Sequence, residues 1–303
     1  HGYSGGLQGR RMIWNLGSIN ADNFYYLRHL PAPGETIAAH DFRQGLGGKG
    51  ANMSVAAARA GTRVMHIGAV GPDGKWTVDR LLEYGVETQH ISMIDTATGH
   101  ANICVAEDGE NSIVLFSGAN HQITTQMIGA ALAEASPGDF LLMQNETLGQ
   151  RFAAQTAHTL GLRVAYAAAP FDAEIVAQVL PDIDLLVLNE VEAEALEKTT
   201  GARIDALPID DIIVTLGAEG CKWVSNKAKT VQSFPAYPVK AIDTTGAGDT
   251  FTGYLIAALD RKLSMPDAIA LAMQAGALMV TRQGTADVIP DLKDIQDHGF
   301  DED

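Results

Sequence analysis

The feature that most constrains this chain is an alternation. Short, mainly apolar runs at 13–16, 64–67, 140–143, 163–166, 185–188 and 212–215 are separated by segments of helical period, many Ala-rich, at 51–60, 78–84, 127–135, 173–180 and 190–198. Strands that are apolar throughout are covered on both faces, and strands alternating with helices pair in parallel. The expected fold class is therefore α/β, with a central, mostly parallel sheet and helices on both sides. In such a sheet the ligand crevice lies beyond the carboxyl ends of the strands. Asn20, Asp22, Glu146, Asn189 and Gly217 each follow a predicted strand, which gathers them at that end.

Two segments break the pattern. Residues 23–45 and 99–117 lack helical period and alternate in the β manner. The second reads GHANICVAE, Asp108-Gly109, ENSIVLF, where Asp-Gly between alternating runs signals a two-residue hairpin turn. Strands of this kind do not fit easily into a sheet already enclosed by helices. They are expected to form a small separate β-sheet over the crevice, a lid, with 12–22, 46–98 and 118–303 as the core. The alternative is a hairpin continuing the main sheet.

A net charge of −16 excludes a nucleic-acid or anionic-membrane partner. It also means that an anionic substrate has to be held by local amides, a lysine or a metal. No run reaches the ~18–20 apolar residues of a spanning helix, and no signal-peptide pattern is present. Two cysteines, Cys104 and Cys221, build no disulfide framework and point to a reducing, cytoplasmic setting. The nine histidines, His100 and His121 included, show no metal-ligand spacing. The opening HGYSGGLQGR is polar and Gly-rich, so residues 1–11 are expected to be a tag or tail. The acidic stretch from Asp291 to Asp303 is expected to be a solvated terminus.

The chemistry concentrates in DTTGAGDTF, residues 243–251. Gly246, Ala247 and Gly248 leave a bare turn before an apolar helix, and such a turn directs N–H groups and the helix dipole at an anion. Asp249 beside it would repel phosphate; it is read either as a helix-capping residue or as a base that takes a proton from an attacking hydroxyl. Residues 45–61, GLGGKGANMSVAAARAG, offer a second Gly turn with Lys49 and Asn52 at one helix end. The spacing is not that of a Walker A loop. With Asn20 and Asp22 these residues supply donors and acceptors suited to a polyhydroxyl ligand.

Together these segments resemble the ribokinase family of ATP-dependent sugar kinases. The resemblance rests on GSINAD (17–22), PGET (33–36), GGKGAN (47–52), TGHANICVAEDGENSI (98–113), GAN (118–120), NEVEAE (189–194), TLGAEG (215–220), DTTGAGDTF (243–251) and TRQG (281–284), in family order. It implies Asp249 as general base, with the amides of Gly246, Ala247 and Gly248 as the anion hole. It implies sugar contacts from Asn20, Asp22, Gly48, Lys49, Asn52 and Glu146. Asn189 and Glu192 would organise Mg2+ and nucleotide phosphate, and Thr215, Gly217 and Gly220 would line the ATP site. Asp243, Thr245, Arg282 and Gly284 would surround a K+ ion. The implied reaction is ATP-dependent phosphorylation of a sugar's primary hydroxyl, D-ribose to ribose 5-phosphate first. The alternatives are another sugar, a sugar phosphate or a nucleoside, or a non-catalytic binding relative. A homodimer through the lid is implied as well.

Two places depart from the family pattern. Residues 199–211 are too short for the helix usual there, so part of the sheet near the nucleotide site is expected to be less covered. Val288 stands where a polar residue is common near the monovalent cation.

Overall fold

The computed structural model describes residues 11–300; of the expected tail only Arg11 lies within them. Nine strands form the large sheet: β1 (Ile13–Leu16), β4 (Val64–Val70), β5 (Ile91–Met93), β8 (Phe140–Met143), β9 (Arg163–Ala167), β10 (Leu185–Asn189), β11 (Asp211–Thr215), β12 (Cys221–Ser225) and β13 (Thr230–Phe234). Their order is β13-β12-β11-β10-β9-β8-β1-β4-β5. Pairing is parallel from β5 to β11 and antiparallel for the last two strands. A second sheet of four strands, in the order β3-β2-β6-β7, contains β2 (Asn20–Leu27), β3 (Asp41–Gly47), β6 (Gly99–Ala106) and β7 (Asn111–Phe116). It is separate from the large sheet, and β2 and β6 are its one parallel pair.

The small sheet begins earlier than expected. Asn20 and Asp22 belong to β2 itself and Leu46 to β3. The hairpin turn also differs. Ala106 N donates to Glu110 O at 2.9 Å, and Gly109 has φ 89°. Three residues thus bridge the strands, with the glycine in the left-handed position that closes such a loop.

The helices are α1 (Lys49–Arg59), α2 (Lys75–Glu83), α3 (Thr125–Leu132), α4 (Gln150–Thr159), α5 (Ala173–Val179), α6 (Glu190–Thr200), α7 (Ala247–Asp260), α8 (Met265–Val280) and α9 (Leu292–His298). They pack on both faces of the large sheet. Successive residues of β1 divide between two cores, Ile13 joining the side of α1, α7 and α8, and Trp14 and Leu16 the side of α3 to α6. That division is why its sequence is apolar on both faces except at Asn15, whose buried amide is hydrogen-bonded to Gly50 O, Ser54 Oγ and Gln144 Nε2.

The crossing of α1 and α7 positions the site. A Cβ at Gly253 would lie 2.5 Å from Ala56 Cβ and 2.7 Å from Met53 O, so only glycine permits this approach. Asn52 and Asp249 each sit one turn before the crossing, on facing helices.

Two expectations from the sequence are corrected. Residues 199–211 form no α-helix beyond the end of α6, only a single 3-10 turn at Ile204–Ala206, yet the sheet is not uncovered there. Ile204, Leu207 and Ile209 are buried in the core, and Asn226 Nδ2 donates to the carbonyls of all three, which holds the connection flat on the sheet. The stretch from Asp291 is not simply a solvated terminus. Asp291 and Asp294 form a reciprocal cap on α9, and Ile295 is buried.

Candidate active site

Asp249 is the third residue of α7, and its carboxylate does not take the capping geometry. A capping carboxylate there would fold back onto the helix's own amides. Asp249 instead reaches across to α1. Its Oδ2 accepts from Asn52 Nδ2 at 3.0 Å, and its Oδ1 lies 3.8 Å from Lys49 Nζ. The cap residue Gly246, at φ 73°, makes no side-chain bond. Among the described residues the amides of Gly246, Gly248 and Asp249 donate to no protein acceptor, while Ala247 N donates to Thr244 O at 3.3 Å. A side chain at Gly248 would meet nothing within 4 Å. Free amides at the positive end of a 14-residue helix therefore face open space beside a carboxylate that is held by another helix.

Glu146, from the loop after β8, clamps the start of α1. Its Oε1 accepts from Lys49 N at 2.8 Å and from Ser18 Oγ at 2.7 Å, and Ser18 Oγ in turn accepts from Gly50 N at 3.1 Å. Lys49 follows the cap residue Gly48 and carries the electrostatics of the site. Its ammonium is held above the ordinary lysine range, chiefly by the charge of Asp249; burial opposes this, and Glu146 and Glu192 add to it.

On β2, Asn20 and Asp22 share one face. A Cβ at Gly47 would lie 1.9 Å from Asp22 Oδ2, so the bare glycine of β3 is what gives that carboxylate room. Asp22 is pushed up to about 7, by burial first and the Glu146 charge second, with no hydrogen bond to offset them. It is an acceptor poised between its two protonation states near neutrality.

On the far side of Lys49, Asn189 ends β10 and caps α6. Asn189 Oδ1 accepts from Glu192 N, and Glu192 Oε1 from Asn189 N, both at 2.8 Å. Burial raises the Glu192 carboxyl, while the Asn189 amide and Lys49 pull it back. Thr215 closes β11, and Gly217 and Gly220 bound the short turn into β12.

Asn52, Lys49, Glu146 and Asp249 are thus joined by contacts, and Asp22 and Glu192 are coupled to them electrostatically. The four residues expected around a K+ ion are not drawn together by side chains. Asp243 Oδ1 accepts from Thr245 N at 2.9 Å, whereas Arg282 turns to Val288 O at 3.0 Å and to Asp294. Arg282 and Gly284 can offer an ion only main-chain oxygen, and the Val288 carbonyl is already engaged. Among the described residues no group of three His, Cys, Asp or Glu side chains could hold a metal. Mg2+ commonly takes only one or two carboxylates, with substrate phosphates and waters completing its shell, and Glu192 fits that smaller demand.

Sequence reasoning assigned no role to Ser18, whose hydroxyl links Glu146 to α1, or to Thr285, whose Oγ1 donates to Leu46 O at 2.7 Å. Only the position of Ser18 within GSINAD hinted at it.

An α/β core with a second sheet beside it and this cluster at its crevice fit a carbohydrate-phosphorylating enzyme. The chain belongs to the pfkB family of carbohydrate kinases, whose family model matches residues 11–292. It is 38% identical to a ribokinase of Haemophilus influenzae, over 93% of this chain and 96% of that one. A deoxyribokinase of Salmonella typhi is 30% identical over 93% and 97% of the two chains. Among solved structures, a Cryptococcus neoformans ribokinase in complex with ADP superposes with a TM-score of 0.81 at 32% identity, covering 96% of this chain and 100% of that one. An Arabidopsis thaliana ribokinase complexed with ribose and ATP gives 0.84 at 26%, with coverage of 95% and 98%. No helix among the described residues is long and apolar enough to cross a membrane.

Proposed function

We propose that the protein transfers the γ-phosphoryl group of ATP to the primary hydroxyl of a pentose, D-ribose giving ribose 5-phosphate. The observation that carries the reading is Asp249, held by Asn52 and Lys49 beside free amides. Asp249 takes the proton from the hydroxyl as its oxygen attacks the γ-phosphorus, and the bond from that phosphorus to the ADP oxygen breaks. The amides around Gly246, Ala247 and Gly248 receive the negative charge on the transferring group. Asn20, Asp22, Gly48, Lys49, Asn52 and Glu146 hold the sugar so that only its terminal hydroxyl reaches Asp249. Thr215, Gly217 and Gly220 border the nucleotide. Mg2+, held through Glu192 and Asn189 with the ATP phosphates, would neutralise phosphate charge. K+ would lie by Asp243 and Thr245.

The small sheet covers the crevice as a lid, which would limit hydrolysis of ATP by water. The exposed side chains of Ile113, Val114, Leu115 and Phe116 on β7 favour a homodimer formed through that sheet. A cytoplasmic setting fits the free cysteines Cys104 and Cys221. A sugar phosphate is a poorer acceptor. Arg43 of β3, the basic residue a phosphosugar would need, is exposed, faces Asp41 at 3.5 Å and lies over the Tyr26 ring.

A coupled ADP-release assay with ribose, deoxyribose, fructose, ketodeoxygluconate and adenosine tests the reading. Ribose turnover well above the others is expected, and Asp249→Asn should lower kcat by about 10²–10⁴. Preference for adenosine or a phosphosugar, or an unchanged kcat in that variant, overturns it.

A further inference from the structure

The GAN segment plays no part in the chemistry above, yet Asn120 is 1% exposed and makes three hydrogen bonds at the root of the small sheet. Its Oδ1 accepts from Ile19 N at 2.9 Å. Its Nδ2 donates to Ile19 O at 3.3 Å and to Asn20 Oδ1 at 2.8 Å. The chemistry dictates this orientation. A main-chain N–H can only donate, so the atom facing Ile19 N is oxygen, and the nitrogen takes the two acceptors. A Cβ at Gly99 would lie 2.1 Å from Asn120 Nδ2 and 2.6 Å from Asn20 Oδ1, so the bare glycine of β6 makes room for the pair.

The consequence passes to Asn20. With its oxygen committed to Asn120, its remaining polar group is the NH2, which no acceptor among the described residues takes up and which is not sealed from solvent. Asn20 shares its face of β2 with Asp22. The crevice therefore meets a fixed donor and, two residues on, an acceptor. We propose that Asn120 is a positioning residue that holds Asn20 as a hydrogen-bond donor to the sugar, so that the site selects a sugar oxygen acting as acceptor there. This rests on the sugar-kinase reading.

A double-mutant cycle measures it. Asn120→Ala should raise the KM for D-ribose about tenfold, the effect of one misaligned hydrogen bond, with kcat and the ATP KM changed by less than about threefold. In an Asn20→Ala background the same substitution should add nothing to the sugar KM. An equal factor in both backgrounds, or parallel losses in kcat and ATP KM, overturns the proposal. A second measurement needs neither turnover nor a folded Asn120→Ala protein. Hydrogen exchange of side-chain amides, observed by NMR in the unmutated protein, should show Asn120 Nδ2 protected and Asn20 Nδ2 exchanging freely. Protection of Asn20 overturns the orientation. If the parent phosphorylates no sugar while this exchange pattern holds, the kinase reading fails and the amide geometry stands.

Discussion

Gly253→Ala adds one methyl group where two helices touch, about a turn from the base it should disable. The new Cβ would start 2.5 Å from Ala56 Cβ and 2.7 Å from Met53 O. Carbon atoms rest about 3.5–4.0 Å apart, so α1 and α7 have to separate by roughly 1 Å. Replacing a helical glycine by alanine gains about 1 kcal/mol of helix propensity, while overpacking of this size costs about 1–3 kcal/mol. The net loss of stability is therefore small, at most about 2 kcal/mol. The loss of function is larger. The Asn52–Asp249 hydrogen bond, 3.0 Å long, spans the same pair of helices, and opening it to about 4 Å abolishes it. Misplacing a reacting group by about 1 Å costs on the order of 10²-fold in rate. We expect kcat/KM for D-ribose to fall 10- to 100-fold while Tm moves by only a few degrees, read by coupled ADP release and thermal unfolding. A variant with raised Tm and kcat/KM within threefold of the parent would refute the argument that this crossing sets the base.

Asp22 keeps its proton in the folded chain up to about 7 but releases it near 3.8 when unfolded. Its contribution is thus full below about pH 4 and lost as pH rises towards 7, a swing of about 4 kcal/mol. Asp22→Asn should melt above the parent at pH 8 and level with it at pH 4, a comparison made by thermal unfolding without sugar. His66 acts in the opposite sense. Fully buried between Ser54 Oγ and Gly17 O, it is pushed down to about 4. The stability of its neutral form is present above 6.5 and declines by about 3 kcal/mol as pH falls towards 4; His66→Asn should flatten the acid limb of a denaturant-midpoint profile. For the proposed homodimer, the parent should scatter light as a dimer and Val114→Lys on β7, exposed in the single chain, as a monomer with Tm of the core retained; a monomeric parent overturns it. An unchanged dimer would place the interface elsewhere.

Six large-sheet strands were readable because burial on both faces forces continuous apolar runs. Others were not. In β12 only Cys221, Val224 and Ser225 are buried and in β13 no residue is, since the sheet is ending there, and Thr230–Phe234 reads as a polar segment. Helix α4, QRFAAQTAHT, buries mainly alanines and so gives little hydrophobic signal. The termini of helices carried the site. Asp249, Lys49, Asn52 and Asn189 stood out because their neighbours are turn residues that mark helix starts. What makes them a site was hidden, because it depends on through-space clearances: Gly47 against Asp22, and Gly253 against Ala56. A glycine in a sequence advertises a bend far more readily than a gap. Arg282 shows the reverse failure, since a motif position does not reveal that its side chain turns to Val288 and α9.

The placement of Asn20 and Asp22 within β2 has a mechanical consequence. Any tilt of the four-stranded sheet carries those two groups along and leaves Asn52, Lys49 and Asp249 behind on their helices. The proposed sugar contacts are thus divided between two bodies, only one of which also carries Asp249, so the angle between them would decide whether all those contacts can be made at once.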